Sequence, residues 1–284
     1  MLNLIHKNIL ITGASSGIGK VTAIELAKMG ANIFLAGRSI VKHEAVIKEL
    51  YDINSKGNFV YLPLELANLD SVRSCAKLFL DFNQPLHILI NNAGVYGEKG
   101  ITQQGFEMHF GVNHLGHFLL TLLLLDRIKA SAPSRILNLA SGAHRYATQW
   151  DWEALQKPTK SMTTMTEYGV SKLSNILFTT ELAEQLKDTD VLCLAIHPGI
   201  VKTDIWRHLP SVIQPLMNIV PILTPLEGTK NTLYGVTECP ASEHGQFLTN
   251  CQRETPSILG QDAFLAKELW RRSLEWAGLN TTLV

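Results

Sequence analysis

The stretch Thr12-Gly13-Ala14-Ser15-Ser16-Gly17-Ile18-Gly19 decides the fold. It joins an apolar run at 8–12, which predicts a strand, to residues 17–29, which predict a helix. Glycines let the turn tighten and a ligand approach the backbone, and the helix N-terminus directs free N–H groups at a pyrophosphate. The spacing is G-x-x-x-G-x-G, so a plain turn is the alternative to a nucleotide site. The predicted nucleotide contacts are Gly13, Ser15, Ser16, Gly17, Ile18 and Gly19, the two serines acting as phosphate ligands or helix caps.

Beyond this loop, short apolar runs alternate with helical patterns along the whole chain. The runs predict strands at 8–12, 32–36, 59–62, 86–90, 135–140 and 191–196, and a short edge strand at 247–249. Helices are predicted at 17–29, up to 51, 70–82, 105–130, 168–186 and 264–277. This alternation predicts an α/β single-domain Rossmann fold over residues 1–284. We expect a doubly wound, mostly parallel sheet of about seven strands with helices on both faces.

Composition excludes several classes of protein. Of the 284 residues 46% are hydrophobic, and 25 Lys and Arg balance 25 Asp and Glu. Such a chain is not disordered, and its zero net charge gives no footprint for nucleic acid. The four cysteines lack CxxC spacing, so we expect free thiols, no metal site and a cytoplasmic protein. The apolar run at 118–125 is short and the N-terminus enters a strand at once, so we expect no integral membrane segment.

The end of the second predicted strand selects the cofactor. A carboxylate at this point would bind a ribose 2′-hydroxyl and repel a 2′-phosphate. The chain instead reads Leu35-Ala36-Gly37-Arg38-Ser39. Arg38 can pair with a phosphate, which favours NADP(H), with NAD(H) as the alternative if Arg38 is an ordinary surface residue.

A helical segment and three strand ends supply candidate catalytic groups. Tyr168 and Lys172 are four residues apart and therefore share one helix face. A nearby ammonium favours the phenolate, so Tyr168 could exchange a proton with a substrate oxygen near neutral pH. Ser141, the stretch 91–94 and the stretch 197–199 each follow a predicted strand. Ligands of such sheets bind beyond the carboxyl ends of the strands, so these groups should share one crevice.

In this order, these motifs resemble the short-chain dehydrogenase/reductase family over about the first 205 residues. The matching motifs are Thr12 to Gly19, Asn91 to Gly94, Asn113, Ser141, Tyr168 with Lys172, and Pro198-Gly199 with Thr203. The stretches 113–118, 132–135 and 171–178 resemble the retinol dehydrogenase-like branch and its WW-domain oxidoreductase relatives. A wide gap between Ser141 and Tyr168 is also typical of that branch.

The resemblance implies a role for each matching residue. Tyr168 would be the acid or base, Lys172 would lower the pKa of Tyr168 and bind the ribose, and Ser141 would hydrogen-bond the reacting oxygen. Asn113 would hold a water that links Lys172 to solvent. Around the cofactor, the implied contacts are Arg38 at the 2′-phosphate, Asn91, Ala93 and Gly94 on the adenosine-ribose side, and Pro198, Gly199, Val201 and Thr203 near the carboxamide. Glu65-Leu66 stands where the family usually has Asp-Leu, so Glu65 is expected near the adenine amino group.

We therefore expect an NADP(H)-dependent oxidoreductase that interconverts a hydrophobic alcohol and its aldehyde or ketone. The apolar, proline-rich segment at about 203–225 is expected to close over such a substrate. The resemblance also implies a homodimer, formed by the helix that includes 118–125 and the helix that carries Tyr168. Two alternatives are an NAD(P)-dependent epimerase or dehydratase and a non-catalytic dinucleotide-binding regulatory protein. His114 and His117 are expected to pack or face solvent and not to bind metal.

Overall fold

A computed structural model describes residues 2–201 and 223–279, and these form one sheet with helices on both faces. The strand order is β3-β2-β1-β4-β5-β6-β7-β8. The first seven strands in this order are parallel, and β8 runs antiparallel to β7. The strands are β1 (Asn8–Thr12), β2 (Asn32–Gly37), β3 (Phe59–Pro63), β4 (Ile88–Asn91), β5 (Ser134–Leu139), β6 (Val191–Ile196), β7 (Phe247–Thr249) and β8 (Gln252–Arg253).

Seven helices of three or more turns cover the sheet in the described part of the chain. They are α1 (Gly17–Lys28), α2 (Ile40–Ile53), α3 (Leu69–Asp81), α4 (Met108–Ala130), α5 (Met165–Gln185), α6 (Pro225–Thr237) and α7 (Ala263–Trp276). The side chains of β1 alternate between two cores, because successive residues of a strand point to opposite faces. Leu10 packs with α3, α4, α5 and α7, and Ile9 and Ile11 pack with α1, α2 and α6. This architecture confirms the predicted doubly wound α/β fold, with eight strands in place of about seven.

The strand order fixes where a ligand can bind. The chain starts in the middle of the sheet at β1, moves outward to β3, and then returns to the other side of β1 with β4. The connections from β1 and β4 therefore leave in opposite directions and open a crevice at the carboxyl edge. The glycine loop follows β1, and the stretch 91–94 lies at the end of β4.

Two details of the sequence prediction were wrong. β7 is not an edge strand, because β8 pairs with its outer side through Leu248 and Thr249. Helix α6 was not predicted, although it begins with a capping box in which Thr224 accepts the N–H of Glu227 and Glu227 accepts that of Thr224. The predicted substrate segment at 203–225 lies outside the described residues except for its last three.

Helix α4 is the central helix of one core. By length and composition it could cross a membrane, but 83% of its most apolar window is buried inside the fold. Phe118, Leu119 and Leu120 are fully buried there. Most of the apolar run at 118–125 therefore packs within the chain itself, and Leu122 and Leu123 stay partly exposed. A π-helical turn, Gly111–Leu115, interrupts the α-helical hydrogen bonding near the start of α4 and contains Asn113.

Candidate active site

A cavity of about 940 Å³ opens at the carboxyl edge of the sheet. Loops that follow β1, β2, β3, β4, β5 and β6 form its wall, together with the first turns of α5. The sequence-predicted residues that line it are Gly13, Ser15, Ser16, Gly17, Ile18, Gly19, Arg38, Glu65, Leu66, Ala93, Gly94, Ser141, Tyr168, Lys172, Pro198, Gly199 and Val201. Asn91 and Asn113 do not line it, and Thr203 lies outside the described residues.

The glycine loop has the shape that a dinucleotide needs. Gly13 and Gly17 have φ values of +69° and +54°, which side-chain-bearing residues rarely adopt. A Cβ atom on Gly19 would lie 2.4 Å from the Gly13 oxygen and 2.4 Å from Nδ2 of Asn92. Ser16 is the N-cap of α1, yet its side chain makes no capping hydrogen bond. Backbone N–H groups at this helix end therefore face a cradle that suits the pyrophosphate of a nicotinamide dinucleotide.

Arg38 also lines the cavity, just after β2. Its side chain is 58% exposed, and its Nε lies 3.8 Å from Oε2 of Glu65. Glu65 also accepts the backbone N–H of Ala67 at 3.1 Å. The arginine is thus paired only at 3.8 Å and keeps more than half of its side chain exposed, which leaves it able to bind a phosphate.

Tyr168 and Lys172 lie on one buried face of α5, as their spacing predicts. They are 7% and 4% exposed, and Nζ of Lys172 lies 5.7 Å from the centre of the Tyr168 ring. The ammonium donates to the Leu139 carbonyl at 2.9 Å, which ties α5 to the end of β5. The Tyr168 ring also contacts the Tyr96 ring edge-on, with 5.1 Å between centroids.

Burial shifts these two side chains toward their neutral forms. It raises the pKa of Tyr168 to about 12, although a hydrogen bond with Ser141 opposes the shift. It lowers the pKa of Lys172 to about 8. In the protein alone, the pKa of Tyr168 is therefore raised, whereas a nearby ammonium was expected to lower it. Desolvation outweighs the other influences on this pKa. At neutral pH the phenol therefore holds its proton and can act as a donor.

Ser141 follows β5 and is fixed from behind by His144. The Ser141 hydroxyl accepts the N–H of Ala143 at 3.1 Å. Ser257 donates its backbone N–H to Nε2 of His144 at 3.0 Å, so the other ring nitrogen carries the hydrogen. That nitrogen, Nδ1, donates to the Ser141 carbonyl at 2.7 Å. His144 is fully buried, does not line the cavity, and anchors the Ser141 backbone.

Asn113 is buried behind the cavity in the π-helical turn. Its Nδ2 donates to the Val95 carbonyl at 3.1 Å and to Oγ of Ser171 at 2.9 Å, which uses both amide hydrogens. Its Oδ1 accepts the Val95 N–H at 2.8 Å. Gly94 lies between this oxygen and Lys172, since a Cβ there would be 3.3 Å from Oδ1 and 3.6 Å from Nζ. The side chain joins the loop after β4 to α5, and its role as a water ligand stays a prediction.

At the end of β4, the wall of the cavity is formed by Asn92 and not by Asn91. Asn91 is 1% exposed and donates to Oγ1 of Thr121 and Oδ1 of Asn138 inside the core. Asn92 lines the cavity and donates to the Thr12 carbonyl at 2.7 Å. The residues of this loop that line the cavity and that the sequence did not predict as contacts are Asn92, Val95, Tyr96 and Glu98. The alternation of side chains along β4 was the available signal, because it points Asn91 to the same face as the buried Leu89.

The comparisons with known proteins agree with this geometry. Residues 7–152 match the family model described as short chain dehydrogenase. The chain is 42% identical over 277 residues to retinol dehydrogenase 11 of Mus musculus, covering 95% of this chain and 86% of that protein. It is 39% identical over 287 residues to retinol dehydrogenase 13 of Homo sapiens, covering 98% and 86%.

Solved structures share the fold. A short chain dehydrogenase structure from Pseudomonas syringae, described there as putative, has a TM-score of 0.70 at 25% identity, covering 88% of this chain and 96% of that one. L-sorbose reductase from Gluconobacter frateurii, complexed with NADPH and L-sorbose, has a TM-score of 0.67 at 18% identity, covering 87% and 96%. A 3-ketoacyl-(acyl-carrier-protein) reductase from Brucella melitensis, complexed with NADH, also has a TM-score of 0.67, at 22% identity, covering 86% and 96%.

Proposed function

This chain belongs to the short-chain dehydrogenase family, in its retinol dehydrogenase-like branch, and we propose that it interconverts a hydrophobic alcohol and its aldehyde or ketone with NADP(H). The observation that carries the proposal is the meeting of Tyr168, Lys172 and Ser141 in one cavity with a glycine cradle. Oxidoreductase chemistry follows from the family. The lipophilic substrate and the preference for NADP(H) are the proposed parts.

The residues of the chain divide the work at the reacting oxygen. When bound, the nicotinamide supplies or accepts the hydride. The hydroxyls of Ser141 and Tyr168 hold the substrate oxygen, and Tyr168 gives it a proton during reduction. Lys172 keeps a positive charge next to the phenol, which stabilises the phenolate left behind. The Leu139 carbonyl holds that ammonium in place.

An apolar substrate fits the apolar part of the cavity lining. Met108, Val112, Met165 and Ile200 line the cavity, and the Tyr96 ring packs edge-on against Tyr168. The retinol dehydrogenases that the chain resembles are named for an apolar polyene alcohol. Both features support a lipophilic carbonyl as the substrate.

A substrate screen tests the reaction. The wild-type protein is given NADPH with retinal, long-chain aldehydes and steroid ketones, and NADPH absorbance is followed. We expect turnover of at least one of these, and a loss of about 100-fold or more in Tyr168→Phe with the cofactor dissociation constant unchanged. Full turnover by Tyr168→Phe would reject the mechanism. Tight NADPH binding with no turnover of any carbonyl would favour the non-catalytic regulatory alternative.

The preference for NADP(H) rests on Arg38. No carboxylate ends β2, and the guanidinium is accessible beside the cavity. The two solved neighbours bound to NADPH and to NADH do not decide between the cofactors. Fluorescence titration should show that Arg38→Leu weakens NADPH binding by about tenfold or more while NADH binding stays unchanged. Arg127→Leu, at the far end of α4, is the matched control. Equal effects on NADPH and NADH would show that Arg38 does not bind the phosphate.

The assembly and location of the protein are also proposals. We propose a homodimer through α4 and α5, supported by the partly exposed Leu122 and Leu123 on α4. Light scattering at micromolar concentration measures it, and a monomer would reject it. The four cysteines are all free thiols, which supports a cytoplasmic location. Imaging of the tagged full-length protein tests that location.

A further inference from the structure

A chain of buried hydrogen bonds runs behind the cavity from the glycine loop to the catalytic helix. It begins at Thr12, the last residue of β1, and passes through His117 on α4. It continues through Asn113 and Ser171, and ends at the carbonyl of Tyr168. Thr12, Asn113 and Ser171 are fully buried and His117 is 2% exposed, so solvent cannot replace these bonds.

The direction of the first bond follows from counting donors at Thr12. Its hydroxyl oxygen accepts two backbone N–H groups, those of Asn92 and Ala93, each at 2.9 Å. A hydroxyl has two lone pairs and one hydrogen, so its hydrogen is left for Nε2 of His117 at 2.8 Å. Nε2 is then the acceptor, and the ring hydrogen lies on Nδ1. The histidine is held as one neutral tautomer.

The ring hydrogen of His117 reaches the residue that connects to α5. Nδ1 donates to the carbonyl of Asn113 at 3.0 Å, within the π-helical turn where regular helix bonding is interrupted. The Asn113 amide donates to Oγ of Ser171 at 2.9 Å, and that hydroxyl donates to the Tyr168 carbonyl at 2.7 Å. The orientation of the catalytic turn of α5 is therefore linked to the orientation of one histidine.

We propose that His117 is a positioning residue that couples the glycine loop to the turn of α5 that carries Tyr168. Its acceptor nitrogen holds Thr12, which organises the loop at Asn92 and Ala93, and its donor nitrogen holds Asn113, which organises Ser171 and Tyr168. The expected effect on Tyr168 rests on the proposed function, because only turnover reports the alignment of Tyr168. The expected effect on the glycine loop is tested by NADPH binding alone.

Two conservative substitutions separate the two effects. In His117→Asn the amide nitrogen lies near the position of Nδ1 and keeps the hydrogen bond to Asn113. In His117→Gln the longer side chain reaches the position of Nε2 and keeps the acceptor for Thr12. We expect His117→Asn to raise the NADPH dissociation constant about tenfold with kcat retained, as one lost buried hydrogen bond predicts. His117→Gln should lower kcat about tenfold with NADPH binding retained. His117→Leu should show both losses.

The matched control is His114→Leu, because His114 is also buried on α4 but its Nε2 pairs with Ser273 of α7 and it does not line the cavity. It should lower thermal stability and leave both kcat and NADPH binding unchanged. The proposal is overturned if His117→Asn and His117→Gln change the same parameter equally, or if all His117 variants behave like His114→Leu. If the wild type turns over no carbonyl, the proposed function fails, and the NADPH dissociation constants of the two variants still decide the coupling: equal values would overturn it.

Discussion

Replacing Lys172 by methionine should make the protein more stable and inactive at once. The lysine is 4% exposed, and burial lowers its pKa from the ordinary 10.5 to about 8. Each pKa unit corresponds to about 1.4 kcal/mol, so holding the ammonium at neutral pH costs about 3 kcal/mol of folding free energy. Methionine has a similar length, fills the same space and carries no charge.

The hydrogen bond that is lost offsets part of this gain. Nζ donates to the Leu139 carbonyl, but that carbonyl also accepts Nδ2 of Asn175 at 3.0 Å and stays satisfied. The loss of one such bond costs about 1 kcal/mol. The expected net gain is therefore about 2 kcal/mol in the free energy of unfolding near neutral pH.

The pH dependence identifies the cause of the gain. The folded protein loses the lysine proton near pH 8, whereas the unfolded chain keeps it until about 10.5, so the wild type regains stability as the pH rises between these values. The advantage of Lys172→Met should then be full below pH 8 and disappear near pH 10, where the remaining cost of the charge no longer exceeds the loss of the hydrogen bond. Urea unfolding at pH 7 and at a pH near 10 measures it, with the exposed Lys56→Met as the control. A destabilised variant at pH 7, or an equal gain at both pH values, would refute this reasoning.

Three further predictions use other parts of the structure. Burial lowers the pKa of His114 to about 3 and that of His117 to about 4. The free energy of unfolding, which has its full value above about pH 6.5, should therefore fall by roughly 6 kcal/mol between pH 7 and pH 4 in urea unfolding, and a flat profile would contradict the burial. Gly19→Ala places a methyl group 2.4 Å from the Gly13 oxygen, and calorimetry should find NADPH binding at least about tenfold weaker in a folded protein. Thr224→Ala removes the capping box of α6 and should lower the free energy of unfolding by about 1 kcal/mol, and Thr224→Ser should restore it.

The sequence predicts the sheet well because its strands are buried on both faces. Ile88, Leu89 and Ile90 face two different cores, so the run is apolar throughout and easy to recognise. Helix α6 was missed for the opposite reason. Its buried face contains Thr229, Asn231 and Thr232, and so gives little apolar periodicity. The capping box with a proline at the first turn was the stronger signal for its start.

The parts of the candidate site that could be predicted from the sequence are those whose residues lie on a single helix or in a single turn. Tyr168 and Lys172 share a helix face through local geometry alone, and the glycine loop is a single turn. The contact between Thr12 and His117 joins residues that are 105 positions apart. It depends on β1 lying next to β4 and on α4 crossing that strand pair, and no local pattern contains this information. Local spacing therefore predicts the groups that react, and the topology determines the groups that hold them.

The burial of Tyr168 and Lys172 also explains why the candidate site lowers the stability of the fold. Desolvation favours a neutral lysine and a neutral phenol, yet stabilising a phenolate requires the charged form of Lys172. With a pKa of about 8 the ammonium still keeps its charge near neutral pH, and it donates to the Leu139 carbonyl. The proton transfer proposed for Tyr168, whose ring centre lies 5.7 Å from Nζ, would give this costly charged side chain a function. A stable and inactive Lys172→Met protein would demonstrate both the cost and its purpose in one variant.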